Sequence, residues 1–265
     1  MRTIVTLFFL SLVVGCGFTS YVDAGPQKKT ADKMDAVRAI SFGLYGSVKK
    51  YTEGALRNAD LALDVYPGWK VYYYIDSSSV PADIVNKLKA KPNVVVRESS
   101  DFGNPFSRFL IADDPEVDRF IVRDVDSRLN LREKAAVEEW IQTDFSVHDM
   151  RDHPYHSYVM MAGMWGAKKG FLNGHKMEDL IATYGVQGTY GHDQNFLEYL
   201  VVNHIGWRNV LVHDSYRCKD FLNGFSFPTP REGTQFVGQI VDFGSDGTEV
   251  YLQEATSEPC ERKQS

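Results

Sequence analysis

Cysteine is scarce: the 265-residue chain has three, at positions 16, 218 and 260. Cys16 lies in an apolar N-terminal stretch, which leaves Cys218 and Cys260 to form at most one bridge in an oxidising compartment and excludes a disulfide framework. Positive charge is also short. Lys and Arg number 29 against 35 Asp and Glu, a net charge of −6 with a pI near 5.7, which argues against a nucleic-acid groove. No Asn-x-Ser/Thr triplet occurs, so N-glycosylation gives no compartment signal. The N-terminal apolar run, Ile4 to Val14, is interrupted by Thr6 and Ser11 and is too short to span a bilayer comfortably. There is no internal repeat and no low-complexity tract.

That run follows Arg2 and has the length of a signal-peptide core. Val22-Asp23-Ala24 offers cleavage after Ala24, whereas Val13-Val14-Gly15-Cys16 resembles a bacterial lipobox that would leave Cys16 lipidated. A short uncleaved anchor is the third option, so membrane association through the N-terminus is open. The expected organisation is a leader over 1–24, a linker over 25–35, one folded domain over 36–245 and a polar tail over 246–265 that frays after Gln253. An exported or secretory-lumen location follows from the leader.

What is present is enough apolar residue, 43%, to bury a full core. Val37 to Leu44 reads as a strand, Val48 to Val65 as a helix stopped by Pro67-Gly68, and Trp69 to Ile75 as a second strand. Pro81 opens a helix through Ala90, Asn93 to Val96 is a third strand, and Phe106 to Ala112 is helical. Phe120 to Val122 is a fourth strand, and Asn130 with Glu133 caps a helix through Ile141. Later elements are Ser146 to Met150, Ala162 to Ala167, a helix near Gln194 to Asn203 and a strand over Asn209 to Val212. The alternation predicts an α/β domain: a mostly parallel central sheet with helices on both faces and a ligand crevice at the strands' carboxyl ends, where Gly43, Ser77 and Asp124 fall.

The fourth strand runs directly into Arg123-Asp124-Val125-Asp126-Ser127-Arg128. Two carboxylates spaced i, i+2 past a buried strand can share one hard divalent cation, and Mg²⁺ or Mn²⁺ then keeps positions open for phosphate oxygens. The flanking arginines suit phosphate as well. An EF-hand is excluded, because Leu129 and Ala135 stand where its loop needs Gly and Glu. Asp-x-Asp also caps ordinary loops, so the motif needs its context.

With that context the chain resembles the metal-dependent glycosyltransferases of the GT-A fold. The resemblance covers about residues 36 to 240 and is carried by the Phe42-Gly43-Leu44-Tyr45 strand end, by Arg123 to Arg128, by His192-Asp193-Gln194 and by His213-Asp214. Arg151-Asp152-His153-Pro154-Tyr155-His156 followed by Gly163-Met164-Trp165-Gly166 resembles a poorly characterised branch of these enzymes.

The resemblance implies a Rossmann-type catalytic domain that uses Mn²⁺ or Mg²⁺, a nucleoside-diphosphate sugar donor and a glycan, lipid or protein acceptor. It implies donor contacts at Phe42, Gly43, Tyr45, Arg108, Arg123, Asp124 and Asp126, with His213 as a third metal ligand beside the aspartates and His204 as its substitute. Asp193 is the candidate base, and otherwise an idle helix N-terminal aspartate. Arg151, Asp152, His153, Trp165 and Gln194 are candidates for the sugar or acceptor side, with a salt-bridged loop and a core tryptophan as their alternatives. Arg217, Lys219 or Arg231 is expected to neutralise the leaving diphosphate. Two other functions stay open: a non-catalytic glycan or nucleotide-sugar binder, and a metal-dependent hydrolase of nucleotide sugars.

Overall fold

The computed structural model describes residues 36–99, 104–186 and 188–260. The leader, its processing sites and the linker lie outside the described residues.

Alternating apolar side chains build the first strand, β1 (Arg38–Leu44), which sends Ile40, Phe42 and Leu44 to one layer and Ala39 to the other. Both faces are buried, as a central parallel strand requires. The remaining strands of the main sheet are β2 (Lys70–Ile75), β3 (Val94–Glu98), β4 (Arg119–Arg123), β5 (Val147–Arg151), β6 (Met164–Lys168), β7 (Val210–Asp214) and the short β8 (Gly224–Phe225). They form one eight-stranded sheet in the order β3-β2-β1-β4-β6-β5-β7-β8. Every neighbouring pair is parallel except those made by β6, which runs against β4 and β5. The expected mostly parallel sheet is therefore the one observed.

Helices α1 (Lys49–Val65), α2 (Ala82–Lys89) and α4 (Leu131–Ile141) cover one face, packing Ala55, Leu88 and Trp140 against Phe42, Tyr73 and Ile121. The other face is covered by α3 (Asn104–Ser107) with the 3₁₀ turn Arg108–Asp113, by α5 (Met177–Tyr184) and by α6 (His192–Leu200), which pack Phe106, Phe109 and Phe196 against Tyr74, Phe120 and Val122. The helix expected over Phe106 to Ala112 is thus a single α turn followed by 3₁₀ structure. Its Arg108 carbonyl accepts the buried Ser41 hydroxyl of β1 at 2.6 Å, which ties the turn to the sheet. Helix α5 and the hairpin β9 (Val241–Phe243) with β10 (Glu249–Tyr251) add to the elements expected from the sequence.

Asn130 caps α4 as expected, its side chain accepting the Glu133 N–H at 2.9 Å. Glu133 does not reciprocate. Its carboxylate is buried and takes the Tyr66 hydroxyl at 3.0 Å and Arg123 Nε at 3.2 Å. As far as Cys260 the tail does not fray. Ala255 N–H bonds to Thr234 O, Cys260 N–H bonds to Ser215 O, and Cys260 is disulfide-bonded to Cys218.

A candidate metal and diphosphate site

The end of β4 carries Asp124 and Asp126 into a cleft of about 770 Å³ at the carboxyl end of the sheet, beside Gly43 of β1 and Tyr45 just past it. Helix α1 fixes the loop between the aspartates. Asn58 Nδ2 donates to Val125 O (3.2 Å) and Ser127 O (2.8 Å), and its Oδ1 accepts Leu129 N–H at 3.3 Å. One turn earlier stands Gly54, where a Cβ would lie 2.2 Å from Val125 O. A mid-helix glycine lowers helix stability by about 1 kcal/mol; here it permits the close approach that anchors the motif.

Positive charge balances the carboxylates. Arg108 is buried and spans two acids, with Nη1 on Asp124 Oδ1 and Nη2 on Asp193 Oδ2 at 2.9 Å. Burial opposes its charge, but Asp124 and Asp193 outweigh that and hold the guanidinium above its usual pKa. Lys50 Nζ lies 3.3 Å from Asp126 Oδ2. Asp126 is nonetheless pushed above the ordinary carboxylate range, first by burial and then by the repulsion of Asp124, with Lys50 opposing. Two carboxylates that repel each other at the floor of a cleft, with oxygen donors only, suit a hard cation such as Mg²⁺ or Mn²⁺. Gly163 leaves the space: a Cβ there would sit 1.9 Å from Asp124 Oδ2. Asp124 and Asp126 are the residues that would hold the ion; among the described residues no cluster of three or more His, Cys, Asp or Glu side chains is arranged for a metal.

Asp193 opens α6 and faces this cleft. Its Oδ1 accepts Gln194 N–H at 3.0 Å and its Oδ2 takes Arg108, so it stands charge-paired beside the motif. Gln194 lines the same cleft, and its Oε1 is buried without a hydrogen-bond partner.

Several expected site residues are elsewhere. His213 is fully buried, with Nδ1 2.8 Å from His148 Nε2 and Nε2 3.3 Å from Glu139 Oε2. Strand parity places it on the α4 face, and with both ring nitrogens engaged it is not brought to the aspartates. His204 lies on the π turn Val201–Ile205, against Tyr199 and His175. Arg123 points the same way as His213, to Glu133. Phe42 is fully buried against Tyr73, their rings 5.2 Å apart. Trp165 is a core ring between Phe109 and Phe120, at 5.4 and 5.3 Å.

Of the Arg151–His156 segment, Tyr155 and His156 line the cleft, whereas Arg151, Asp152 and His153 are held behind it. Arg151 forms an ion pair with Asp214 (Nε–Oδ2 2.9 Å) and donates Nη1 to Tyr158 O and Val159 O at 3.0 and 2.7 Å. Asp149 accepts Met161 N–H at 2.9 Å and, because burial outweighs the attraction of Arg151, is raised to about 7. Asp152 is fully buried and takes Arg132 Nε (2.9 Å), Arg231 Nη2 (2.6 Å) and Val237 N–H (3.0 Å). Burial works against its ionisation, yet Arg132, Ser215 and the Val237 amide hold it below the usual range. Arg231 is thereby spent on Asp152, and Arg217 pairs with Asp220. His153 stacks on Phe236 at 4.4 Å, outside the cleft lining.

Sequence reasoning passed over Lys50, Tyr158, Tyr190 and Gln253, all of which line the cleft, and named His156 and Gly163, which line it too, only within their motifs. Gly163 and Tyr190 left a trace: a glycine beside the expected tryptophan and an aromatic residue between Gly188 and Gly191. Gln253, in a left-handed conformation (φ 63°), arrives from the tail and left none.

No family model matches the sequence, and no curated protein matches it. Solved structures with a similar fold include 4-diphosphocytidyl-2C-methyl-D-erythritol synthase from Anaerococcus prevotii, at 11% identity, covering 74% of this chain and 91% of that one with a TM-score of 0.45. TarS from S. aureus is similar at 17% identity, 66% and 58% coverage and a TM-score of 0.43. The mannosyltransferase PcManGT from Pyrobaculum calidifontis, in complex with GDP-Man and Mn²⁺, is similar at 10% identity, 68% and 57% coverage and a TM-score of 0.42. The matched region spans a little under three fifths of the length of the last two.

Proposed function

We propose that this protein is a metal-dependent glycosyltransferase of the GT-A kind, transferring a sugar from a nucleoside diphosphate to an acceptor hydroxyl. The observation that carries the reading is the meeting of Asp124, Asp126, Arg108 and Asp193 in one cleft at the carboxyl end of the sheet. A divalent ion held by Asp124 and Asp126 would offset the diphosphate charge and favour its departure. Arg108 already sits between acids and is the cation best placed to exchange a carboxylate for a phosphate oxygen. The Tyr45 and Tyr51 rings, 6.3 Å apart and 26° from parallel, supply a wall beside the motif for a nucleobase.

In the transfer, the acceptor oxygen bonds to the anomeric carbon as that carbon's bond to the phosphate oxygen breaks. The diphosphate leaves with the electron pair, and Asp193 takes the acceptor proton in an inverting reaction. The Cys218–Cys260 bridge supports an exported or lumenal setting.

The test is thermal stability of the full chain with a panel of nucleoside diphosphates, with and without Mn²⁺, beside Asp126→Ala. The expected result is stabilisation by one nucleotide that needs metal and vanishes in the variant. No shift with any nucleotide would overturn the donor-site reading. Product analysis then separates transfer from hydrolysis: sugar released to water whatever acceptor is added would replace the transferase reading with a hydrolase.

A further inference from the structure

The lining of the cleft includes two exposed aromatic side chains to which the donor-site reading above gives no role. Tyr190 is 94% exposed and Tyr155 is 75% exposed, and both line the opening. The tyrosines of the core, Tyr66 and Tyr73 among them, show what packing does with this residue here: they are at most 7% exposed. Tyr155 is nevertheless positioned. Its backbone N–H donates to His153 Nδ1 at 3.2 Å, and its ring stands edge-on to the His153 ring at 5.0 Å. His153 is in turn stacked on Phe236, so an imidazole that does not line the cleft props a ring that does.

The two walls bearing these rings are joined. Gly191, with φ 77°, ends the loop that carries Tyr190, and a Cβ there would lie 2.2 Å from the Tyr158 hydroxyl. Glycine suits that left-handed φ and leaves room for the Tyr158 hydroxyl, which brings the segment after Tyr155 against the start of α6. The lining of the same cleft also includes hydroxyl- and amide-bearing residues: Thr189, Gln194 and Gln253.

Each candidate occupant makes a different demand of such a rim. An acyl chain needs aliphatic surface, and Tyr155 and Tyr190 present a ring with a polar tip. An extended peptide docking by strand addition needs a free sheet edge, and the edge strands β3 and β8 do not line the cleft. A phosphorylated headgroup needs a cation beside the rings, and the cleft's two cations, Lys50 and Arg108, stand at the aspartate motif, where the reading above places the donor diphosphate. A pyranose fits: its C–H face packs flat on a ring of low conformational entropy, while its hydroxyls take amides and hydroxyls alongside.

We infer that Tyr155 and Tyr190 form a platform for a carbohydrate chain, so that the acceptor is an oligosaccharide. The word acceptor rests on the transferase reading above; the carbohydrate contact does not.

Saturation-transfer NMR of the full chain with a panel of oligosaccharides tests the platform, with sedimentation on phosphatidylcholine vesicles as a second arm. The expected result is transfer to one group of glycans, at least tenfold weaker binding in Tyr155→Ala and in Tyr190→Ala, and retention in Tyr155→Phe and Tyr190→Phe. Melting temperatures should be unchanged, because both side chains are exposed. Glycan transfer to none of the panel, or equal transfer in the alanine variants, overturns the platform; so does vesicle binding that the same variants abolish. The nucleotide shift is read on the same samples. Metal-dependent nucleotide stabilisation without tyrosine-dependent glycan binding defeats this inference alone. Tyrosine-dependent glycan binding without nucleotide stabilisation defeats the transferase reading and leaves a carbohydrate-binding site.

Discussion

Arg108 Nη2 lies 2.9 Å from Asp193 Oδ2 while its other terminal nitrogen holds Asp124, so one buried guanidinium joins the candidate base to the candidate metal motif. These residues are far apart in sequence and come from three elements: a 3₁₀ turn, a strand end and a helix start. The joint charge arrangement gives each acid a distinct test.

Asp193→Asn keeps the helix start and removes the proton acceptor. Transfer should fall by about 10²- to 10⁴-fold, the range for losing a general base. Metal-dependent nucleotide stabilisation should persist, because Asp124 and Asp126 are intact. Loss of both together would move Asp193 to the donor side.

Asp126 carries a raised pKa, from burial and then the repulsion of Asp124. A raised folded value means that the unfolded chain gives up this proton first. The residue's contribution is therefore most favourable below the ordinary aspartate range and is lost as pH rises through the folded value. Asp126→Asn should then stabilise the metal-free protein at pH 7 by about 0.5–1 kcal/mol, a gain typical of relieving a functional site, with the gain vanishing near pH 3. The same variant should lose all stabilisation by Mn²⁺. Urea titrations at the two pH values, with and without Mn²⁺, read both effects; a less stable variant at pH 7 would refute the electrostatic account.

Much of the frame was legible in the sequence because periodicity reports burial directly. The strands through β7 and helices α1, α2 and α4 fall within a few residues of their expected limits, and the Asp-x-Asp loop stands at a strand end as read. Side-chain direction was the weaker inference. Arg123, Arg151, Asp152 and His213 are charged or polar residues beside a cleft, and composition alone favours a ligand for each. The structure instead satisfies them inside the protein, through Glu133, Asp214, Arg132 and His148. The cue for Arg123 and His213 is the period-two alternation of β4 and β7, which turns both toward α4. No such cue existed for Asp152, whose partners Arg132 and Arg231 lie 20 and 79 residues away.

Gly163 is the site residue whose role is purely one of space. Replacing it with alanine sets a methyl group 1.9 Å from Asp124 Oδ2, so the carboxylate must move. The displaced group is the outer end of a half-exposed side chain, so Gly163→Ala should cost little stability. It should also weaken Mn²⁺-dependent stabilisation by nucleotide as strongly as Asp124→Ala does. A variant that keeps the full metal response would show that Asp124 does not need its present position.

The wall of the cleft rests on a buried carboxyl whose charge is set by pH. Asp149 accepts the Met161 N–H and faces Arg151 at 3.6 Å, yet burial dominates and lifts it from 3.8 to about 7. Below pH 4 the folded and unfolded chains both hold this proton. Between pH 4 and 7 only the folded chain holds it, so this residue's contribution to stability falls as pH rises and levels off above 7. Asp149→Asn preserves the acceptor for Met161 and removes the titration. Its stability relative to the parent should therefore grow by about 2–4 kcal/mol from pH 4 to pH 8, since each pH step of one between the unfolded and folded values contributes about 1.4 kcal/mol, and then stay constant. Urea denaturation of both proteins at pH 4, 6, 8 and 9 measures the difference. A difference independent of pH would mean that Asp149 is ionised in the fold and that Arg151 and Asp149 hold the wall as a charged pair.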